Sequence, residues 1–348
     1  MTAKPKPYQQ WTRLNPPAGE DGLASGAIAA LALADLADGA LLFAAAESGL
    51  YRARIRPTQA NVAEVAPEAA SAAASEAAAL EWRALPNAPQ GVICLAASPA
   101  YAADHLLLAG TSAGISLSND DGLTWRAATL PMSASTVLAL AISPHFLVDG
   151  MLLAGTLEDG IFYSDDRGER WSGRSFGLLD LAVYSLAFSP DFGRDGLVFA
   201  GTETTLYYSY NAARAWRNLP FPEEIAPILS LAVAPGQAGA MSHERTVWAG
   251  TEQNGLYVST DGGKSWSQET LAVESISGLA VIGDPGQAVP LAATERGVYG
   301  RPPARQGTPR WKRLHNLPNA LCLATLRSAR LALAASADGQ IAAARDYP

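Results

Sequence analysis

Cysteine, histidine and charge are all scarce in this chain of 348 residues. There are 2 Cys and 4 His, charged residues make up 17 %, and the only excess of charge is acidic, 33 against 25, giving −8. Two cysteines cannot build a disulfide framework, and a chain this long buries enough surface to need none. The four histidines, His105, His145, His243 and His315, stand singly, without metal-ligand spacing, and are expected in loops. A surplus of acid argues against a general nucleic-acid coat, which is basic over a whole face. No run reaches the ~18 apolar residues of a membrane span, and MTAKPKPYQQ lacks the apolar stretch of a signal peptide. The expectation is therefore a soluble cytoplasmic protein without direct membrane insertion. Arg outnumbers Lys 21 to 4 and Ala is abundant, which fits a GC-rich bacterial genome.

Tryptophan is what the chain does have, and it sets a period. Trp82, Trp125, Trp171, Trp216, Trp266 and Trp311 are separated by 43, 46, 45, 50 and 45 residues. Upstream of them one pattern recurs, as in VLALAISPHFLVDGMLLAGTLEDGIFYSDDRGERW ending at Trp171. Each unit holds four short apolar runs, such as 137–142, 151–154 and 161–163, split by Ser-Pro, Gly-Thr and Asp/Gly turns. Runs of four to six residues with this punctuation are antiparallel strands, and four strands per 40–50 residues make a β-propeller blade.

The expected fold is all-β, a single seven-bladed propeller over 1–348. The blades are read as about 26–86, 91–130, 136–176, 182–220, 227–271, 275–316, and 320–346 completed by 8–14. The last unit has three strands and no fourth, and YQQWTRL around Trp11 resembles the Trp-led fourth strands, so pairing it there closes the ring and hides both edges. Blade one carries an Ala-rich insert, 60–80, expected as a linker or docking arm. Trp248, the remaining tryptophan after Trp11, lies in a second strand and belongs to packing.

The turn before the tryptophan carries a resemblance. Ser118, Asp120, Gly122, Thr124 and Trp125, and likewise Ser259, Asp261, Gly263, Ser265 and Trp266, fit S-x-D-x-G-x-[T/S]-W. Ser164, Asp166, Gly168 and Trp171 fit with Arg170 in place of the hydroxyl, and the fourth blade keeps Ser209, Asn211 and Trp216. The chain thus resembles the BNR/Asp-box propellers, which include sialidases, two-propeller xyloglucanases, sortilin-type receptors and photosystem assembly factors of the YCF48 type. In that group the box is structural: the carboxylate accepts N–H groups of its own turn, the glycine takes a positive φ and the tryptophan wedges between blades.

Catalytic, cofactor and metal sites are all expected to be absent. Gly110, Ser112 and Gly114 spell G-x-S-x-G, but a strand follows where a nucleophile elbow needs a helix. Gly262-Gly263-Lys264-Ser265 mimics the end of a phosphate loop whose upstream glycine is Val258 here. The sialidase arginine segment has only a loose counterpart in Tyr51, Arg52, Arg54, Ile55, Arg56 and Pro57, and the first strands show no convincing pair of the carboxylates that glycoside hydrolysis needs. Cys94 and Cys322 occupy matching first-strand positions and read as small buried hydrophobes.

Partner-binding candidates are the acids following the second strands, Glu47, Glu158, Glu203, Glu252 and Glu295, and a basic patch of Arg301, Arg305 and Arg310. The first reading is a non-catalytic protein–protein interaction scaffold in a bacterial assembly. The alternatives are a sialidase-like carbohydrate-active enzyme or glycan-binding lectin, and an assembly factor for a membrane complex.

Overall fold

A computed structural model describes residues 11–14, 26–55, 80–131, 135–222, 227–236, 245–302, 309–326, 328 and 330–345. Among the described residues twenty-eight strands form seven antiparallel sheets of four; six run in chain order from the inner strand to the outer, and in the seventh the outer place is taken by Thr12–Arg13. The first strands are Ile28–Leu36, Val92–Ala97, Val137–Ile142, Val183–Phe188, Ile228–Val233, Ile276–Ile282 and Ala320–Leu326, and neighbours in this series pack side by side until the seventh meets the first.

The closing sheet is built from both ends of the chain. Thr12–Arg13 pairs with Ile341–Arg345, placing Thr12 opposite Ala343, and Leu14 N–H adds a bond of 2.9 Å to the Ile341 carbonyl. Trp11 is buried beside His315 with ring centroids 5.9 Å apart. His315 therefore sits in a strand, Lys312–His315, and not in a loop as its isolation suggested.

There is no single core. Seven apolar clusters lie between successive blades, and the sequence assigns each position of the first strand to one side. The fourth residue is leucine in all seven blades (Leu31, Leu95, Leu140, Leu186, Leu231, Leu279, Leu323), and each packs into the cluster shared with the preceding blade. The fifth is always alanine, and six of these seven, from Ala32 to Ala324, join the cluster shared with the following blade. Side chains alternate across a strand, so a Leu-Ala step presents bulk to one neighbour and a shallow surface to the other. Each Trp that opens a fourth strand likewise packs against the blade before it, as Trp171 does beside Leu106 and Leu117.

Close approach explains the recurring glycine of the second strands. A Cβ on Gly155 would lie 2.7 Å from Val183 Cγ1 of the next blade, and one on Gly250 would lie 2.6 Å from Ile276 Cγ2. The blades are also stitched by the small third residue of the first strand. Ser185 and Ser230 donate to the Ile228 and Ile276 carbonyls at 2.9 and 3.0 Å, and Cys94 and Cys322 make the weaker equivalent to Val137 and Ile28 at 3.6 and 3.8 Å.

Three connections between first and second strands contain one helical turn that the sequence reading took as plain loop: Tyr101–Asp104, Phe146–Asp149 and Phe192–Asp195. In each the Ser of Ser-Pro donates to the closing Asp, at 2.7, 2.6 and 2.7 Å, and a buried aromatic anchors the turn. Arg245 of blade five, fully buried, reaches back to the third of these turns, where its Nη2 lies 3.2 Å from Asp195 and also contacts Asp191. Residues 60–79 of the Ala-rich insert, together with Arg56, Pro57 and His243, lie outside the described residues, and Leu80, which ends the insert, is buried.

Candidate functional site

Antiparallel blades give the ring two faces. The second-to-third-strand turns and the starts of the first strands share one face; the third-to-fourth-strand turns share the other with the helical connections.

On the second of these faces lie the S-x-D-x-G turns. Ser118 donates to Asp120 at 2.8 Å, and Asp120 accepts Thr124 N–H at 2.9 Å and Thr124 Oγ1 at 2.6 Å. All three contacts recur at Ser259–Asp261–Ser265, and the Ser164 hydroxyl and Arg170 N–H bonds recur at Asp166. Gly122, Gly168 and Gly263 have φ of 81°, 87° and 96°. The carbonyl of each accepts the indole N–H of Trp125, Trp171 or Trp266, at 2.9, 3.3 and 3.0 Å. The Thr124 bonds hold the Asp120 carboxyl below its usual range; at Asp261 desolvation is the largest single influence and pulls upward, but the Ser265 and Ser259 bonds together prevail, leaving it at about 2. Among the described residues every hydrogen bond of these carboxylates is within its own turn. In blades one, six and seven, whose turns lack the pattern, the Nε1 of Trp82, Trp311 and Trp11 has no partner among the described residues.

The opposite face presents the acids. Threonines ending the second strands close these turns, Thr202 onto the Thr205 carbonyl at 2.9 Å and Thr251 onto Gly255 at 2.8 Å, so the glutamate that follows each is set at the rim. Glu203 and Glu252 N–H bind the Ala182 and Pro227 carbonyls, both at 3.1 Å, which fixes them beside the starts of their own first strands. Glu47, Glu158, Glu203 and Glu252 are exposed; Glu295 is half-buried with Arg296 Nε 3.6 Å away.

What sequence reasoning missed is Tyr184. Every first strand carries a register shift at its second residue, here between Val183 and Ser185. Such a bulge bends the strand and re-aims the extra side chain. The seven bulge residues are Ala29, Ile93, Leu138, Tyr184, Leu229, Ser277 and Leu321, so only blades four and six place a hydroxyl there. The Tyr184 phenol is pushed above its ordinary range, first by burial and then by the charges of Glu203, Glu252 and Asp180. It stays protonated at neutral pH and is a donor. Asp180 is half-buried: desolvation raises its carboxyl, but bonds from Thr204 and Ala182 outweigh this and keep it ionised. A tyrosine interrupting a column that is aliphatic in five of the other six repeats was the available signal.

Along the outer strand of blade four the segment joining blades three and four raises an apolar surface. Phe176 and Leu179 are 80 % and 90 % exposed, yet their backbone is fixed: Trp216 N–H binds the Phe176 carbonyl at 2.9 Å, and Leu179 N–H binds the Tyr207 hydroxyl at 3.2 Å.

The arginines are elsewhere. Arg52 lies in the third strand of blade one and donates to the Asp121 carbonyl at 2.9 Å; Arg54 pairs with Asp38. Arg301 is half-buried and paired with Glu269, Arg310 is exposed, and Arg305 lies outside the described residues. Among the described residues no group of His, Cys, Asp and Glu could hold a metal ion, and no helix is long and apolar enough to cross a membrane.

No family model and no curated protein matches the chain. Solved structures do. An ancestral GH74 enzyme is similar over 97 % of this chain (TM-score 0.67, 16 % identity), and the GH74 xyloglucanase from Xanthomonas campestris over 97 % (0.61, 19 %). The extracellular domain of the one-component system BT4673 from B. thetaiotaomicron is similar over 98 % (0.62, 16 %). The alignments cover 46 %, 53 % and 40 % of those chains, so this chain spans about half their length. At such identity the likeness is one of fold. It nevertheless corrects two expectations. With glycoside hydrolases among the similar structures, the expectation of a non-catalytic scaffold is withdrawn. With an extracellular domain among them, the cytoplasmic assignment, which rested on a missing leader, is withdrawn.

Proposed function

We propose that the chain is a carbohydrate-active propeller that binds a glycan at the mouth ringed by the second-to-third-strand turns, with Glu203 and Glu252 as its working carboxylates. The observation that carries this reading is the Tyr184 phenol, which feels Asp180, Glu203 and Glu252 together. Glycosidic bond cleavage needs one carboxyl to protonate the leaving oxygen and a second to act as nucleophile or base. Glu203 and Glu252, on adjacent blades, are the exposed pair available for those roles. Asp180, held ionised by Thr204 and Ala182, suits stabilisation of positive charge developing on a sugar ring. Tyr184 supplies a hydrogen bond to a sugar oxygen. The charges acting on Tyr184 are all negative, which favours neutral over acidic sugars and sets this reading apart from a sialidase proper. The same reading takes the S-x-D-x-G turns as Asp boxes with a purely structural task.

A panel of fluorogenic neutral glycosides and sialosides tests it, run on the wild type, Glu203→Gln, Glu252→Gln and Tyr184→Phe, alongside glycan-array binding. Turnover of a neutral glycoside falling about 100-fold in either glutamine variant is the expected result. Binding without turnover, lost in the same variants, reduces the reading to a lectin. No binding or turnover of any neutral glycan defeats it.

A further inference from the structure

The loops sort the charge of the chain by face. Seven second-to-third-strand turns, with seven connections from a fourth strand to the next first strand, build the face of the mouth that holds Tyr184. Over the full sequence these segments hold 14 acids and two basic residues, Arg174 and Arg296. The first-to-second and third-to-fourth connections of the other face hold 17 acids and 12 basic residues. The count includes 15–25, 132–134 and 223–226, so the chain outside the described residues adds no cation to these loops. Lys4 and Lys6 precede Trp11, at the end of the closing strand remote from this face. Both arginines of the face are engaged: Arg174 stacks on the Tyr163 ring, 3.5 Å from its centroid, and Arg296 lies against Glu295. Of the acids, Glu269 is paired with Arg301.

Inside the rim the bulge residues form an apolar collar. Ile93, Leu138, Leu229 and Leu321 are half-buried on the innermost strands, and none belongs to a cluster between blades. Tyr184 stands in the same ring of positions, and its phenol feels acids from two blades at once. Charge of one sign around such a mouth focuses the field and concentrates ions of the opposite sign there. Aliphatic groups accept the C–H face of a sugar whatever its substituents. The field then separates sugars of one backbone by charge, drawing in an amine, ignoring a hydroxyl and repelling a carboxylate.

Resting on the glycan reading of this mouth, we propose that it selects oligosaccharides of amino sugars, with protonated amines at the rim acids and ring faces on the aliphatic collar. The collar and the Tyr184 hydroxyl suit a chain of amphipathic rings, where a basic peptide would use the acids alone. A rigid chain of rings also loses less freedom on binding than a peptide does.

Isothermal titration of the full chain, at low salt and mildly acidic pH, tests it with three β-1,4-linked hexasaccharides that differ only at C2: those of glucosamine, N-acetylglucosamine and glucose. The glucosamine hexamer is expected to bind at least about tenfold more tightly than the other two, and added salt should erase that advantage. Glu47→Gln combined with Glu158→Gln, on two exposed turns, should cut the advantage at least about threefold and leave the neutral hexamers unchanged. Ser112→Glu, in the one turn that has no acid, should enlarge it. Equal affinity for the three hexamers, or an advantage that ignores salt and these substitutions, overturns the proposal and leaves the glycan reading standing. Binding of none of them overturns the proposal, and the glycan reading is then decided by its own panel. Hexalysine bound as tightly as the glucosamine hexamer, with the same response to the variants, assigns the face to basic peptides and overturns the proposal too.

Discussion

The hydroxyl of Ser185 donates a hydrogen bond of 2.9 Å to the carbonyl of Ile228 on the next blade, and Cys94 holds the same repeat position with its sulfur 3.6 Å from Val137 O. The two side chains do one job with different strength. Cys94→Ser is therefore expected to be neutral or stabilising by up to about 1 kcal/mol, whereas Ser185→Ala orphans a buried acceptor and should cost about 1–3 kcal/mol. Urea denaturation of the two variants decides this. Burial pushes both thiols up to about 12, so neither should react with a thiol reagent at neutral pH until the protein unfolds.

Gly168 should not tolerate a methyl group. Its φ is 87°, and a Cβ there would lie 2.4 Å from Leu117 Cδ2 of the preceding blade. Gly168→Ala combines left-handed strain with a clash in a packed cluster, for an expected loss of about 2–4 kcal/mol by thermal denaturation. Gly173, whose Cβ would meet nothing within 4 Å, is the control and should accept alanine with little change.

Acid sensitivity follows from the turn carboxylates. Asp261 has its pKa depressed to about 2 in the folded state, against about 4 unfolded. A depressed carboxylate contributes stability above its unfolded pKa, and that contribution disappears as pH falls toward the folded value. Asp261→Asn should flatten the stability profile between about pH 4 and pH 2 without abolishing the fold. The chain supplies its own precedent: Asn211 in blade four accepts from Ser209 Oγ and Ala215 N–H at 2.8 and 3.0 Å through the same oxygen.

Deleting residues 1–14 removes the strand that covers Ile341–Arg345 and leaves an unpaired edge. The truncated protein should associate or aggregate in size-exclusion chromatography where the full chain runs as a discrete species.

The ring was legible because its determinants are local and repeated. A tryptophan every 43–50 residues, Ser-Pro, Gly-Thr and the S-x-D-x-G turn each mark a strand boundary, and Trp11 supplied the missing strand. Contacts made once were not. Arg245 reads as an ordinary surface arginine between Glu244 and Thr246, and only the fold brings Asp191 and Asp195 to it from the neighbouring blade. Tyr184 was hidden by its own repeat, since its strand scans as one more apolar run and the bulge that turns the phenol toward Glu203 and Glu252 leaves no mark in composition. Grouping the acids of the rim was within reach of the sequence; seeing which two face a tyrosine was not.

The pairing of Thr12 with Ala343 also sets an order of events during synthesis. Within the ring the earliest strand waits for the latest, so no arrangement of the nascent chain can close the ring before its seventh unit has left the ribosome. Until then the growing stack of blades carries two open ends, each a ready template for a stranger's strand. Slow translation of the seventh unit would lengthen that exposure, and closure is the step at which the ring is most easily lost.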